Sequence, residues 1–457
     1  MYQKSHERKR KPVIITIKDL GINGEGLGYY KKKIIFIKGA LPGEVVVANI
    51  VDEKPHYMTG ELVRIKEKSA DRVDFPEGVS PEIGGLELAH MNYDAQLKFK
   101  KNIVKEALRR YHPRDWQNYK IKSTIPAPDQ WHYRAKASYQ LQMQGRFMAQ
   151  GLYKPESHEV VDIPTMPTQN EATQKVEREI KKLLIEGRYP IARIRQKRHG
   201  VKTVVVRQAQ ATGEIQVTLI TTTLKINGLS YLAKKIMELP QVVSVFQNVT
   251  SFDNPLVWGE KTVKLAGKNQ IMEQLLDVKF ALSPRAFFQL NPVQTERLYA
   301  EALKYLNLTS DMTLIDAYCG VGTIGLIASR EVKHVIGIES IPEAVEDAKH
   351  NAKLNHIRNA EFITGNVDKI LPELAAAGVP MDALIVDPPR TGLGKKLIKT
   401  ILQVMPKNFV YISCNPSTLA QDLVLLANKY DVRLIQNIDM LPQTPRCECI
   451  VKLVARD

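Results

Sequence analysis

Four side chains that can take part in chemistry follow strand-like runs in the C-terminal part of the sequence. They are Tyr318, Glu339, Asp387 and Cys414. Because ligands of an open parallel sheet bind beyond the carboxyl ends of its strands, we expect the four to share one edge. Cys414 alone allows two interpretations, an inert buried thiol or a nucleophile. Its place beside the other three favours the nucleophile.

A glycine-rich turn follows the first of these strands. The segment from Asp316 to Gly325 contains G-x-G-x-x-G, with Gly320 and Gly322 as its first two glycines. Glycine lets the backbone approach a nucleotide closely, and Glu339, at the end of the next strand, can bind ribose hydroxyls. Enzymes that use NAD and enzymes that use S-adenosylmethionine (SAM) share this pattern.

The sequence at the end of the fourth strand helps to distinguish two kinds of methyl acceptor. It reads Asp387-Pro388-Pro389-Arg390. Enzymes that methylate exocyclic amines often carry an aromatic residue after a similar motif, where it stacks on the base. Arg390 stands there instead, which argues against an amino group as the acceptor.

A thiol beside a methyl donor fits methylation of carbon 5 of a pyrimidine. That carbon is a weak nucleophile, but a thiolate added to carbon 6 turns the ring into an enolate that accepts a methyl group at carbon 5. A base must then remove the carbon 5 proton. Glu448, the only carboxylate between Pro442 and Cys449, is the candidate base. The alternative for Glu448 is a surface position on a strand.

Strands and helices alternate from about residue 308, which predicts a doubly wound parallel sheet. Only Asp439 to Arg446 separate the last two strands, so we expect a hairpin that adds one antiparallel strand. This feature distinguishes a methyltransferase sheet from a dehydrogenase sheet. The predicted strands are 312–318, 334–339, 360–364, 381–387, 408–413, 432–438 and 447–454, and the predicted helices are 323–330, 342–354, 366–377, 394–405 and 417–429.

The first two-thirds of the chain show no catalytic signature. Residues 12–66 carry short β-rich runs with glycines 21 to 28 in the first connection, which predicts a small barrel of oligonucleotide-binding type. Lys31, Lys32 and Lys33, beside two tyrosines, suit a surface that tracks phosphates and stacks bases, or a solvated hairpin tip. An amphipathic helix at 93–111 precedes an α+β region that we interpret as a substrate-holding domain.

Charge points to a polyanionic partner. The 457 residues contain 65 Lys and Arg against 49 Asp and Glu, a net charge of +16. An excess of this size favours a nucleic-acid partner over the alternative, in which the positive charge serves only solubility. There is no run of about 18 apolar residues and no signal peptide, so we expect a cytoplasmic protein. The four cysteines, with only Cys447 and Cys449 close in sequence, form neither a disulfide framework nor a zinc pattern.

Together these motifs resemble the RNA uracil-5-methyltransferases, over nearly the whole chain. The strongest matches are 287–292 (FFQLNP), 316–322, 387–390, 413–416 (SCNP) and 439–448. The resemblance implies three domains: a TRAM RNA-binding β-barrel (1–72), an α+β central RNA-substrate domain (73–280), and a C-terminal α/β Rossmann-like class I SAM-dependent methyltransferase domain (281–457). It implies a seven-stranded mixed sheet in the last domain, with the helix 93–111 packed on it.

The resemblance also assigns roles by position. Cys414 matches the nucleophile and Glu448 the proton acceptor. The positions implied to bind SAM are Gln289, Tyr318, Gly320, Gly322, Glu339 and Asp387, of which Gln289 and Asp387 also touch the flipped base. Arg134 matches an arginine on the RNA-facing side of the central domain, and Phe287 an RNA contact.

One segment departs from the family pattern. Many relatives hold an iron–sulfur cluster on four cysteines, but here the corresponding positions include Ile83, Leu86 and Met166. We therefore expect no iron–sulfur cluster and no other metal, with apolar packing in its place. How the central domain selects RNA without the cluster stays open.

Family members with this barrel and length usually modify 23S ribosomal RNA. The resemblance thus implies methylation of carbon 5 of a loop uridine, at position 1939 or 747 of that RNA. The first alternative is the same reaction on transfer RNA. The second is a catalytically silent RNA-binding or ribosome-assembly factor, against which intact Cys414, Glu448 and the glycine turn argue.

Overall fold

The computed structural model describes residues 12–81, 83–154, 157–254 and 256–456. The basic N-terminal run, on which the expectation about a signal peptide rests, lies almost wholly outside them. Within the described residues no helix has both the length and the apolar character needed to cross a membrane.

The N-terminal strands close into a barrel, as predicted, in the order β1-β2-β3-β5-β4. Buried isoleucine, valine, alanine and methionine side chains fill it. The β3–β5 pair is parallel and the other neighbours are antiparallel. The strands are β1 Val13–Leu20, β2 Gly26–Tyr30, β3 Lys33–Ile37, β4 Val45–Glu53 and β5 Tyr57–Glu67.

Strand β2 lies where the sequence predicted only a connection, so that prediction is wrong. A Cβ atom at Gly28 would stand 2.4 Å from Cγ2 of Ile15 and 2.9 Å from the carbonyl oxygen of Thr16. Only glycine allows β2 to approach β1 this closely. Because glycine is rare inside strands, the amino-acid composition of this segment did not indicate a strand.

Helix α1, Tyr93–Tyr111, joins the barrel to the C-terminal domain. On one side Phe99 and Ile103 pack with Leu41 of the barrel. On the other, Val104 and Leu108 belong to the apolar cluster of the C-terminal domain. Helix α1 thus makes apolar contacts with both the barrel and the C-terminal domain.

The central domain is an α+β unit built on a seven-stranded sheet, in the order β12-β11-β10-β9-β6-β7-β8. Helices α2 and α3 cover one face, where Ile180 and Ile236 pack on valines of the strands. The elements are β6 Lys136–Gln144, β7 Phe147–Tyr153, β8 Val160–Asp162, α2 Glu171–Glu186, β9 Val201–Gln208, β10 Ile215–Thr221, α3 Leu229–Met237, β11 Val242–Val249 and β12 Lys261–Gly267.

Apolar side chains fill the region where relatives would carry cluster cysteines. Ile83, Leu86 and Met166 are buried in one small cluster with Ile163. The expected apolar packing is therefore present.

The C-terminal domain contains a seven-stranded mixed sheet in the order β17-β16-β15-β18-β19-β21-β20, as predicted. Strand β21 is antiparallel to both neighbours. The elements are β13 Ile271–Leu275, β14 Val278–Leu282, α4 Pro292–Leu306, β15 Thr313–Ala317, α5 Thr323–Ala328, β16 His334–Glu339, α6 Pro342–Leu354, β17 Ala360–Thr364, α7 Val367–Ala376, β18 Ala383–Val386, α8 Gly394–Val404, β19 Asn408–Ser413, α9 Pro416–Leu426, β20 Tyr430–Ile438 and β21 Glu448–Ala455.

The β13–β14 hairpin packs into the core of this domain, with Phe280 beside Leu298 of α4. Most of this hairpin precedes residue 281, where the sequence places the start of the domain.

Candidate active site

The predicted chemical groups meet at one edge of the C-terminal sheet. Tyr318, Glu339, Asp387 and Cys414 directly follow or end β15, β16, β18 and β19, which are parallel neighbours. Strand β21 runs the opposite way, so its first residue, Glu448, lies at the same edge.

The register of β19 and β21 sets Cys414 against Glu448. The last pair of the ladder is Ser413 with Cys449, so the next position places Cys414 opposite Glu448. Directly opposite side chains of an antiparallel pair lie on the same face, with Cβ atoms about 5 Å apart. Both residues are half-buried and therefore open to a ligand. This pairing is the core of the site.

Desolvation and neighbouring carboxylates disfavour charge on both groups. Burial, then the charges of Glu448 and Asp387, raise the pKa of the Cys414 thiol to about 11. Desolvation, then Asp387, raise the pKa of Glu448 well above its usual range. Burial also raises the pKa of Asp387 to about 7. The Arg390 guanidinium opposes these effects, because its charge lowers the pKa of Cys414 and of Glu448.

Hydrogen bonds hold the Cys414 loop against the Asp387–Arg390 loop. The Asn415 side-chain amide donates to the carbonyl oxygen of Arg390 at 2.9 Å, and the Thr418 hydroxyl donates to the same oxygen at 3.2 Å. The carboxylate of Asp422 accepts from the Tyr411 hydroxyl at 2.8 Å and from the Leu393 N–H at 2.9 Å. These bonds hold Cys414 and Asp387, at the ends of neighbouring strands, in a fixed relation.

The glycine turn has the form of a nucleotide site. Gly320 and Gly322 have φ of 56° and 83°, which side chains rarely adopt, and a Cβ at Gly320 would meet open space. The Glu339 carboxylate accepts from the Gly320 N–H at 3.2 Å and from the Ile341 N–H at 2.9 Å. Asp316, buried beneath the turn, accepts from Gly325 at 2.7 Å.

A second loop brings residues that are predicted to contact RNA to the border between the central and C-terminal domains. Phe287 is 64% exposed whereas its neighbour Phe288 is buried, so the first ring is free to stack on a base. Gln289 is half-buried. The Ala135 N–H donates to the carbonyl oxygen of Leu290 at 2.8 Å, which places Arg134 beside this loop.

The predicted lysines lie on the β2–β3 turn of the barrel, a different domain from the catalytic edge. Lys31 and Lys32 both have positive φ, 47° and 67°. Tyr29 is 57% exposed and available for stacking, but Tyr30 packs on the barrel core. Lys33 is partly engaged, because it forms an ion pair with Glu53 at 2.9 Å.

Two buried thiols flank Glu448. The sulfur atoms of Cys447 and Cys449 lie 3.5 Å apart, and Cys319 is buried beneath the glycine turn. In the described part of the chain, no three His, Cys, Asp or Glu side chains are grouped to hold a metal ion.

Comparison with known proteins identifies the family. The model described as tRNA (Uracil-5-)-methyltransferase matches residues 92–456, and the TRAM domain model matches residues 5–63. The chain belongs to the tRNA (uracil-5-)-methyltransferase family.

Relatives in this family cover the whole chain. An uncharacterized RNA methyltransferase of Lactobacillus johnsonii is 64% identical over 449 residues, 98% of each chain. Another, from Enterococcus faecalis, is 46% identical over 98% of this chain and 99% of its own. The solved tRNA (uracil-54, C5)-methyltransferase of Pyrococcus abyssi, in complex with S-adenosyl-L-homocysteine, is 26% identical with a TM-score of 0.77, covering 96% of this chain and 98% of that one.

The protein is therefore a SAM-dependent RNA methyltransferase, and the residues present fit SAM. The open glycine turn leaves room for a nucleoside, and Glu339 stands at the tip of the next strand. One contributor is not evident from the sequence. The motif uses Arg390 only as evidence against an amine acceptor, whereas its effect on the pKa of Cys414 and of Glu448 is visible only in three dimensions.

Proposed function

We propose that the protein methylates carbon 5 of a loop uridine in 23S ribosomal RNA, forming 5-methyluridine. The observation that carries the chemistry is the placement of Cys414 opposite Glu448 beside Asp387. The TRAM domain and the net charge of +16 support a large RNA as substrate. The reaction we propose takes place in the cytoplasm.

Cys414 starts the reaction as a thiolate. Its sulfur bonds to carbon 6 of the uracil, and the electrons of the carbon 5–carbon 6 double bond move onto the carbon 4 oxygen as an enolate. Arg390, whose charge lowers the pKa of Cys414, favours this thiolate. Exposed Phe287 stacks on the RNA and Arg134 binds it from the central domain, which keeps the extruded uridine in the cleft.

SAM, when bound, supplies an electrophilic methyl group to carbon 5. Gly320, Gly322, Tyr318 and Glu339 would hold its nucleoside part, and Gln289 and Asp387 would contact both SAM and the flipped base.

Glu448 ends the reaction as the general base. It takes the proton from carbon 5, the electrons restore the carbon 5–carbon 6 double bond, and the bond from carbon 6 to sulfur breaks. The raised pKa of Glu448 matches this task, because a more basic carboxylate accepts a proton from carbon more readily. Its position opposite Cys414 puts nucleophile and base at the same ring.

Transfer RNA is the second candidate substrate. The matching family model and the Pyrococcus abyssi structure are both named for transfer-RNA enzymes. Transcripts of 23S ribosomal RNA and of transfer RNA, incubated with methyl-labelled SAM and digested, separate the two. We expect label in 5-methyluridine from the ribosomal transcript. Faster labelling of transfer RNA would identify transfer RNA as the substrate. If neither RNA were labelled, the protein would be an RNA-binding factor without methyltransferase activity.

A further inference from the structure

The loop from Asp439 to Cys447, which leads directly into Glu448, is held by residues from outside the C-terminal domain. We propose that helix α1 positions the catalytic base through this loop, with Lys100 and Gln96 as positioning residues. The inference rests on the proposed function, in which Glu448 removes the carbon 5 proton.

A buried ion pair anchors the beginning of the loop. Lys100 donates to the carboxylate of Asp439, and both side chains are fully buried. The Lys100 ammonium also donates to the carbonyl oxygen of Leu441 at 3.0 Å. The Tyr93 hydroxyl donates to the other Asp439 oxygen at 2.9 Å. Because burying two charges is costly, the pair is weak evidence for added stability, and we assign it a role in geometry instead.

A double amide bond anchors the middle of the loop. The Gln96 side-chain N–H donates to Oε1 of Gln443 at 2.9 Å, and the Gln443 backbone N–H donates to Oε1 of Gln96 at 3.0 Å. The Leu88 N–H donates to the carbonyl oxygen of Gln443 at 2.9 Å. The Tyr133 hydroxyl donates to the carbonyl oxygen of Pro442 at 2.9 Å.

These contacts act on the base and not on the nucleophile. Cys414 is held by β19 and by the bonds between Asn415 and Arg390, to which Lys100 and Gln96 make no contribution. A displaced loop moves the start of β21, and with it Glu448. The predicted defect is therefore confined to proton removal, the last step, since bond formation at carbon 6 and methyl transfer precede it.

Two RNA substrates isolate that step. One carries uridine at the target position and the other carries 5-fluorouridine, whose fluorine cannot be removed as a proton, so the methylated adduct persists whether or not the base is in place. The variants are Lys100→Met and Gln96→Leu. Lys181→Met is the matched control, because Lys181 pairs with Asp162 at 2.6 Å in the central domain, away from the loop.

We expect the variants to trap 5-fluorouridine RNA at the wild-type rate. On uridine RNA their turnover should fall about 10- to 100-fold, while a labelled protein–RNA adduct accumulates on denaturing gels. Lys181→Met should accumulate none. Thermal unfolding shows whether Lys100→Met folds. If it does not, the double variant Lys100→Met/Asp439→Leu, which removes both buried charges, takes its place. We expect the double variant to show the same pattern.

Equal losses of 5-fluorouridine trapping and turnover would overturn the inference, because they indicate general loss of structure. Wild-type turnover in Gln96→Leu and in the double variant would overturn it too. If the wild-type enzyme formed no adduct with 5-fluorouridine RNA, the proposed function itself, and this inference with it, would fail.

Discussion

Cys414 and Glu448 stand opposite each other one position beyond the last pair of the β19–β21 ladder. Cys414, the proposed nucleophile, directly follows β19, and Glu448, the proposed base, begins the antiparallel neighbour β21. One ladder therefore sets their separation, and the strand that distinguishes this sheet from a dehydrogenase sheet also carries the proposed base.

Substitution of each partner should stop the reaction at a different point. Glu448→Gln should attack and methylate the RNA and then stall, because glutamine cannot accept the carbon 5 proton. A labelled protein–RNA adduct should then survive denaturing electrophoresis. Cys414→Ala should bind SAM and RNA but give neither product nor adduct, and any turnover by Cys414→Ala would return the thiol to a packing role. Cys319→Ala is the control and should keep much of its activity.

Loss of Arg390 should shift the pH dependence of the reaction upward. The reaction needs Cys414 and Glu448 deprotonated, so its rate rises with pH. Arg390 lowers the pKa of both groups, and Arg390→Met therefore raises both. We expect single-turnover rates at pH 7 to fall about tenfold and to recover in part near pH 9. Arg390→Lys, which keeps the charge, should recover part of the loss, whereas an unchanged profile would argue against this role.

Asp387→Asn should stabilise the SAM-free protein while it disrupts methyl transfer. Burial raises the pKa of Asp387 from 3.8 to about 7, so the folded state holds a proton that the unfolded state releases. Stability from this group is present below about pH 4 and is lost as pH rises to about 7. Asparagine removes that loss, which is up to about 4 kcal/mol at pH 8 and small at pH 4, as chemical denaturation can measure. Exposed Asp129→Asn should change neither.

The β2–β3 turn should carry part of the RNA affinity. Deleting the barrel would expose Phe99 and Ile103 of α1, so the cleaner change is Lys31→Ala/Lys32→Ala. If these lysines contact phosphates, RNA binding weakens and the slope of log affinity against log salt falls by about 2. SAM binding, measured by calorimetry, should not change. Lys349→Ala/Lys353→Ala on α6 is the charge-matched control, and equal effects of both pairs would leave the turn without a specific role.

Periodicity and strand order predicted most of the C-terminal domain, because those signals are local. Neighbouring residues are enough to locate three of these features: the run before Cys414, the glycine turn and the short link before β21. Strand β2 was missed since its glycines serve a contact with Ile15 and Thr16 on a neighbouring strand. Lys100 was missed because its partner, Asp439, lies 339 positions away in the chain. A helix pattern shows which face is polar, but not that one lysine of that face is buried against a distant carboxylate.

The distance between Lys100 and Asp439 along the chain also bears on how the protein is made on the ribosome. Helix α1 leaves the exit tunnel long before β20 and the loop that neutralises its buried ammonium. Until that loop arrives, the Lys100 ammonium lacks the carboxylate that pairs with it. The apolar face around Val104 and Leu108 can pack earlier, because most residues of its cluster precede residue 439. The polar anchor of α1 therefore forms after its apolar contacts, when the last strands are synthesised.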